Sequence, residues 1–161
     1  MTETRFEGVR VRYASTKSYD ELCAALLADI GERPVPINDI ATSSDDWESY
    51  RQRVESHVGP SGFMLFGVFD HGAWITRAGI DRKAVRVILG NPLIAITMLR
   101  HDVTAGLFVP VELLIVDEGA GSSLTYVKPS SLMVVGPNPE LLKAATELDA
   151  KLAALAVKVT G

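Results

Sequence analysis

A chain of 161 residues suffices for one domain burying roughly 70% of the surface its unfolded form would expose, so neither a disulfide nor a metal is needed to hold it. Apolar residues at 47% and charged residues at 22% exclude disorder as the main state, and a net charge of −4 gives no long-range attraction to nucleic acid or anionic lipid. The single cysteine, Cys23, excludes an internal disulfide. Met1 to Arg5 has no apolar signal core, and no window approaches about 18 uninterrupted apolar residues, so a cytoplasmic protein without a membrane partner is expected.

Phe6 to Tyr13 alternates, with Val9, Val11 and Tyr13 on one face, as a half-buried strand requires. Ser18-Tyr-Asp-Glu21 then has capping-box form, and Leu22, Ala25, Leu26 and Ile30 follow at helical spacing up to Gly31, which predicts a helix over 19–30. Asp29 is the polar intruder in that stripe, and Cys23 lies one position off its centre with no basic neighbour to activate it. Pro34 and Pro36 interrupt, and Thr42 to Asp46 offers several caps for a thinly apolar second helix over 45–58, carrying Trp47, Tyr50, Val54 and Val58. His57 in its last turn serves the helix dipole. Glu32 to Ser61 thus forms a helical segment between the first helix and the second strand.

The run Gly62 to Phe69 is almost continuously apolar and reads as a central strand. Asp70 can cap a short helix over 71–78 that closes at Gly79, and Lys83 to Leu89 is a third strand. Gly90-Asn91-Pro92 supplies a turn, a capping asparagine and a proline at the first helical position, so a helix over 92–99 follows. Arg100 to Leu107 reads as an exposed loop. Val109 to Asp117 and Ser122 to Val127 are strands four and five, joined by Gly119-Ala-Gly121, with Pro110 confined to a strand start or an edge. A turn after Pro129 leads to Asn138-Pro139 and a strongly striped last helix over about 139–157. The expectation is one α+β domain over 1–161, its largely antiparallel five-stranded sheet covered by helices.

Phe69-Asp70-His71-Gly-Ala, Val85 to Leu89 with Gly90-Asn91-Pro92, Val109-Pro110-Val111-Glu112-Leu113 and Tyr126-Val-Lys-Pro129 occur in an order that resembles the DUF302 family. The resemblance covers roughly residues 6 to 133, and Gly-Asn-Pro after a β run is its most specific part. It implies a β-α-β(4)-α fold of the TATA-binding-protein-like type, from which this chain departs by an inserted helical segment over about 32–61, a homodimer as the partner state, and no established activity.

Few residues carry a chemical signal. Asp70 beside His71 could tune an imidazole for acid-base work, but a helix cap explains Asp70. His101 sits between Arg100 and Asp102 on a loop, where functional groups often collect. Glu112 interrupts an apolar strand, and faces either solvent or a pocket. No His or Cys spacing has ligand form, so no metal or cofactor is expected; there is no phosphate loop and no nucleophile elbow. The leading expectation is a non-catalytic or small-molecule-binding domain with a pocket that includes Phe66, Asp70, His71, Trp74, Asn91, His101, Glu112 and Tyr126. Phe63, Leu65 and Phe69 would add to its apolar wall. The alternatives are an enzyme using Asp70 with His71, or His101, together with Glu112, and a protein–protein interaction module. Catalytic residues are not assignable from sequence.

Overall fold

In the computed structural model, which describes all 161 residues, five strands form one antiparallel sheet. They are β1 (Arg10–Ser15), β2 (Met64–Asp70), β3 (Ala84–Gly90), β4 (Val111–Asp117) and β5 (Ser122–Val127), and their order across the sheet is β1-β5-β4-β3-β2. The helices are α1 (Tyr19–Ile30), α2 (Ile37–Thr42), α3 (Trp47–Glu55), α4 (Gly72–Ile75), α5 (Pro92–Leu99), α6 (Pro129–Met133) and α7 (Pro139–Thr160). Two 3-10 turns, Thr76–Ala78 and Val103–Leu107, complete the α+β domain.

Strand alternation decides which face is inner. Val85, Val87 and Leu89 of β3, Val111, Leu113 and Ile115 of β4, and Leu124 and Tyr126 of β5 are all buried and lie on one side. Onto that side pack Leu22, Leu26 and Ile30 of α1 and Leu148, Leu152 and Leu155 of α7. Each of these leucines is essentially removed from water, a gain of about 1.5–3 kcal/mol apiece. The helices therefore cover the sheet on one face. On the other, Ile88, Leu114 and Val116 stand half-buried among an Arg86–Glu112 ion pair and the pair of arginines, Arg12 and Arg82, that clasp Glu118. With the Ser123 hydroxyl, those guanidiniums lower the Glu118 carboxyl to about 2.

Four expectations shift. The apolar run read as a central strand is the edge strand β2, and β4 is central. What buries Met64 and Leu65 is helix packing, not sheet neighbours on both sides: Met64 joins Ile40 and Val54 in a small cluster, Leu65 joins the main core, and Val68 and Phe69 beyond them are about half exposed. The first strand begins at Arg10 because its register with β5, Arg10 opposite Val127 through Ser15 opposite Ser122, sets its extent. Val9 instead bonds to the segment that starts α6. Between the two helices expected before β2, a further short one, α2, forms behind Pro36, and the Arg100 to Leu107 loop contains a 3-10 turn.

The loop entering β2 is held by a buried carboxylate. Asp29 on α1, 5% exposed, accepts the Ser61 hydroxyl at 2.8 Å, the Ser61 amide at 3.2 Å and the Lys158 ammonium of α7 at 2.6 Å. Gly59 passes so close to α1 that a Cβ there would lie 1.9 Å from the Asp29 carbonyl oxygen, which only glycine permits. Asp149 on α7 repeats the device, accepting the amide and hydroxyl of Ser130 at the start of α6. Because charge-assisted bonds to a buried carboxylate are the strong ones, Asp29→Asn is expected to cost about 1.5–3 kcal/mol in urea unfolding. A loss below about 0.5 kcal/mol, the scale of an ordinary surface change, would show that the tie contributes little.

Candidate functional site

At the end of the sheet where β3 stops and β4 starts lies a cavity of about 850 Å³, within the size range of small-molecule sites. Gly90 ends β3 at its wall, and a Cβ there would meet the Phe66 ring at 3.0 Å and Pro110 at 3.2 Å, so glycine lets those two side chains close in. Phe66 points there because the β2–β3 register slips between Leu65 and Gly67, a bulge that frees it from strict alternation. Pro110, after a cis Val109–Pro110 bond, leads into β4.

The floor is apolar and deep: Phe63, Met98, Val111 and Leu148 are all buried. Ile94, Ala95 and Leu99 bring one side of α5 to it. The rims differ. Around Gly106, Val109 and Pro110 there is no charged side chain, whereas α2 and α3 contribute Asn38, Asp39 and Tyr50. Asn38 and Asp39 give their backbone carbonyls to Thr42 and Ser43, and their exposed side chains are left to solvent and cavity. Burial pushes the Tyr50 phenol above its ordinary range, so it stays neutral at physiological pH.

Of the eight residues expected to share a pocket, Phe66 and Asn91 line this cavity. Asn91 does so with its amide already used: its Oδ1 accepts the Leu93 amide at 2.9 Å and its Nδ2 donates to the Gly62 carbonyl at 3.0 Å. Asp70, His71 and Trp74 lie at the opposite end of β2, where Asp70 faces Val85 and accepts the Ala73 amide at 3.1 Å. About 20 Å of strand separates them from Asn91. Trp74 is exposed, its ring edge against His71. His101 follows α5, exposed, its carbonyl accepting the Asn138 amide at 3.3 Å. Glu112 stands on the open face of the sheet, paired with Arg86. Tyr126 is in the core, stacked on Tyr13 with centroids 6.2 Å apart, and burial raises its phenol well above the ordinary range. Phe69 lies over Arg86 on the open face, and Leu65 is in the core under α1. Asp70, His71, His101 and Glu112 thus lie outside this cavity, and no cluster of three or more His, Cys, Asp or Glu residues has the form of a metal site.

Sequence reasoning missed Asn38, Asp39 and Tyr50, because a short polar helix after two prolines and the thinly apolar helix that follows it look solvated until the cavity beside them is seen. It also missed a smaller cavity of about 530 Å³ between the 3-10 turn at Val103–Leu107 and the start of α7. There the polar groups are spent within the chain: Asp102 accepts the Thr104 amide and hydroxyl, and Asn138 caps α7 through the Leu141 amide. No helix is long and apolar enough to cross a membrane.

These features define an α+β domain with a one-sided antiparallel sheet and a cavity at one end of it. The model of the family described as domain of unknown function DUF302 matches residues 40–159, three quarters of the sequence, and the chain belongs to that family. The match starts inside α2 and runs through α7, beyond the stretch from which the resemblance is read. Among solved structures, an uncharacterised conserved DUF302 protein from Bacillus stearothermophilus shares the fold, with a TM-score of 0.66 at 18% identity over 93% of this chain and 97% of the other. No curated protein matches the chain.

Since Asn91 both caps α5 and ties it to the loop before β2, Asn91→Ala is expected to cost about 1–2 kcal/mol in chemical denaturation. Unchanged stability would contradict the assigned role.

Proposed function

We propose that this protein binds a small, largely apolar molecule in the cavity at the end of β3. One observation supports the reading above others: a cavity of about 850 Å³ whose floor is buried apolar side chain and whose polar groups are gathered on one rim. An apolar floor of this kind offers a ligand the same transfer free energy that buries a core residue, roughly 25 cal/mol for each Å² taken from water. Polar groups at one rim then set orientation and discriminate between head groups. The neutral fluorophore N-phenyl-1-naphthylamine is a suitable first probe. Saturable enhancement at one site per chain is expected, and Ala95→Trp, which places an indole in the cavity from α5, is expected to abolish it while leaving the circular dichroism spectrum unchanged. Absence of saturable binding, or equal binding by a folded Ala95→Trp protein, would overturn the proposal.

A further inference from the structure

Resting on the binding reading above, we infer that the cavity selects an amphiphile with a cationic head, of the alkylammonium class, seated tail-inward with its head at the rim formed by Asn38, Asp39 and Tyr50. Three features lead there. First, none of the residues lining the cavity is Lys, Arg or His, so an anionic head would find no counter-charge anywhere along the wall, while Asp39 carries the one formal charge that lines it. Second, the place where an anion would otherwise sit is closed. The start of α5 borders the cavity, and helix starts favour anions through their free amides. Here Pro92 has no amide hydrogen, the Leu93 amide is taken by Asn91 Oδ1, and the amides of Ile94 and Ala95 go to the Asn91 carbonyl at 3.0 and 2.9 Å. Third, Asp39, the Asn38 side-chain carbonyl and the neutral Tyr50 phenol can all accept from an ammonium, and no lysine or arginine is paired with Asp39 to compete for it. The floor of Phe63, Met98 and Leu148 meanwhile has no polar side chain, so the tail end of the ligand is hydrocarbon.

The test uses displacement of N-phenyl-1-naphthylamine by decylamine, decanol and decanoate, each below its micellar concentration, which share a tail and differ in the head. Decylamine is expected to compete at least tenfold more strongly than decanoate. Asp39→Asn is expected to weaken decylamine about five- to tenfold, to leave decanol unchanged, and to leave the far-UV spectrum unaltered because Asp39 is exposed. A chain of net charge −4 draws any cation weakly, so Asp45→Asn, which removes the same charge from an exposed position outside the cavity, separates the two effects and is expected to leave decylamine binding within twofold. Equal competition by the three heads, preference for decanoate, no competition by any of them, or an equal loss in Asp39→Asn and Asp45→Asn would each overturn the inference while leaving the binding reading intact. If the fluorophore itself does not bind, the binding reading fails and this inference falls with it.

Discussion

A buried carboxylate holds the cavity end of this molecule in place. Asp29 interrupts the apolar stripe of α1, and in the fold it becomes the point at which α1, the loop before β2 and α7 are tied together. From there the constraint passes along the chain. Ser61 is fixed, so Gly62 presents its carbonyl to Asn91, and Asn91 in turn sets the first turn of α5. Phe63 follows Gly62 into the cavity floor, and α5 supplies the facing wall. A carboxylate withdrawn from water is costly unless fully bonded, and this one has a hydroxyl, an amide and an ammonium. Three bonds to one side chain join the loop to both helices.

The same logic appears a second time at Asp149 and Ser130, where α7 fixes the start of α6. In both places a helix with a largely apolar inner face carries one buried aspartate, and a serine answers it with two bonds. Between the two ties, α1 and α7 pack against one face of the sheet and leave the other to ion pairs and half-buried aliphatic side chains. The division explains why alternation is clean in β3 and β4 and why the charged residues of those strands, Arg86 and Glu112, are neighbours rather than parts of a site.

Local chemistry was readable in advance, and long-range juxtaposition was not. The Ser18–Glu21 box and the Asn91-Pro92 start delimit α1 and α5 because caps are determined within four residues, and the Gly119 to Gly121 connection sets the β4–β5 hairpin for the same reason. The family too was legible, through Gly90-Asn91-Pro92. Sheet order was not, since an apolar run such as Met64 to Phe69 reads alike whether strands flank it or helices bury it. The cavity was harder still. Its walls come from segments as far apart as Val35 and Leu148, and the residues with the strongest chemical appearance, His71, His101 and Glu112, are dispersed over the surface. Phe66, an aromatic in an apolar run, and Asn91, which follows a strand end, are the two of the eight expected pocket residues that line it.

If the cavity is where the protein acts, the side chains on its floor must sense a ligand that residues elsewhere do not. Methionine methyl resonances offer that reading directly, since Met98 lies on the floor, Met133 lines the smaller cavity and Met1 is fully exposed. In a ¹³C-methyl-methionine spectrum recorded while N-phenyl-1-naphthylamine is titrated in, the Met98 resonance is expected to shift saturably while Met133 and Met1 hold their positions. A Met98 resonance that stays fixed, or one that moves no more than the other two, would contradict the assignment of this cavity as the binding site.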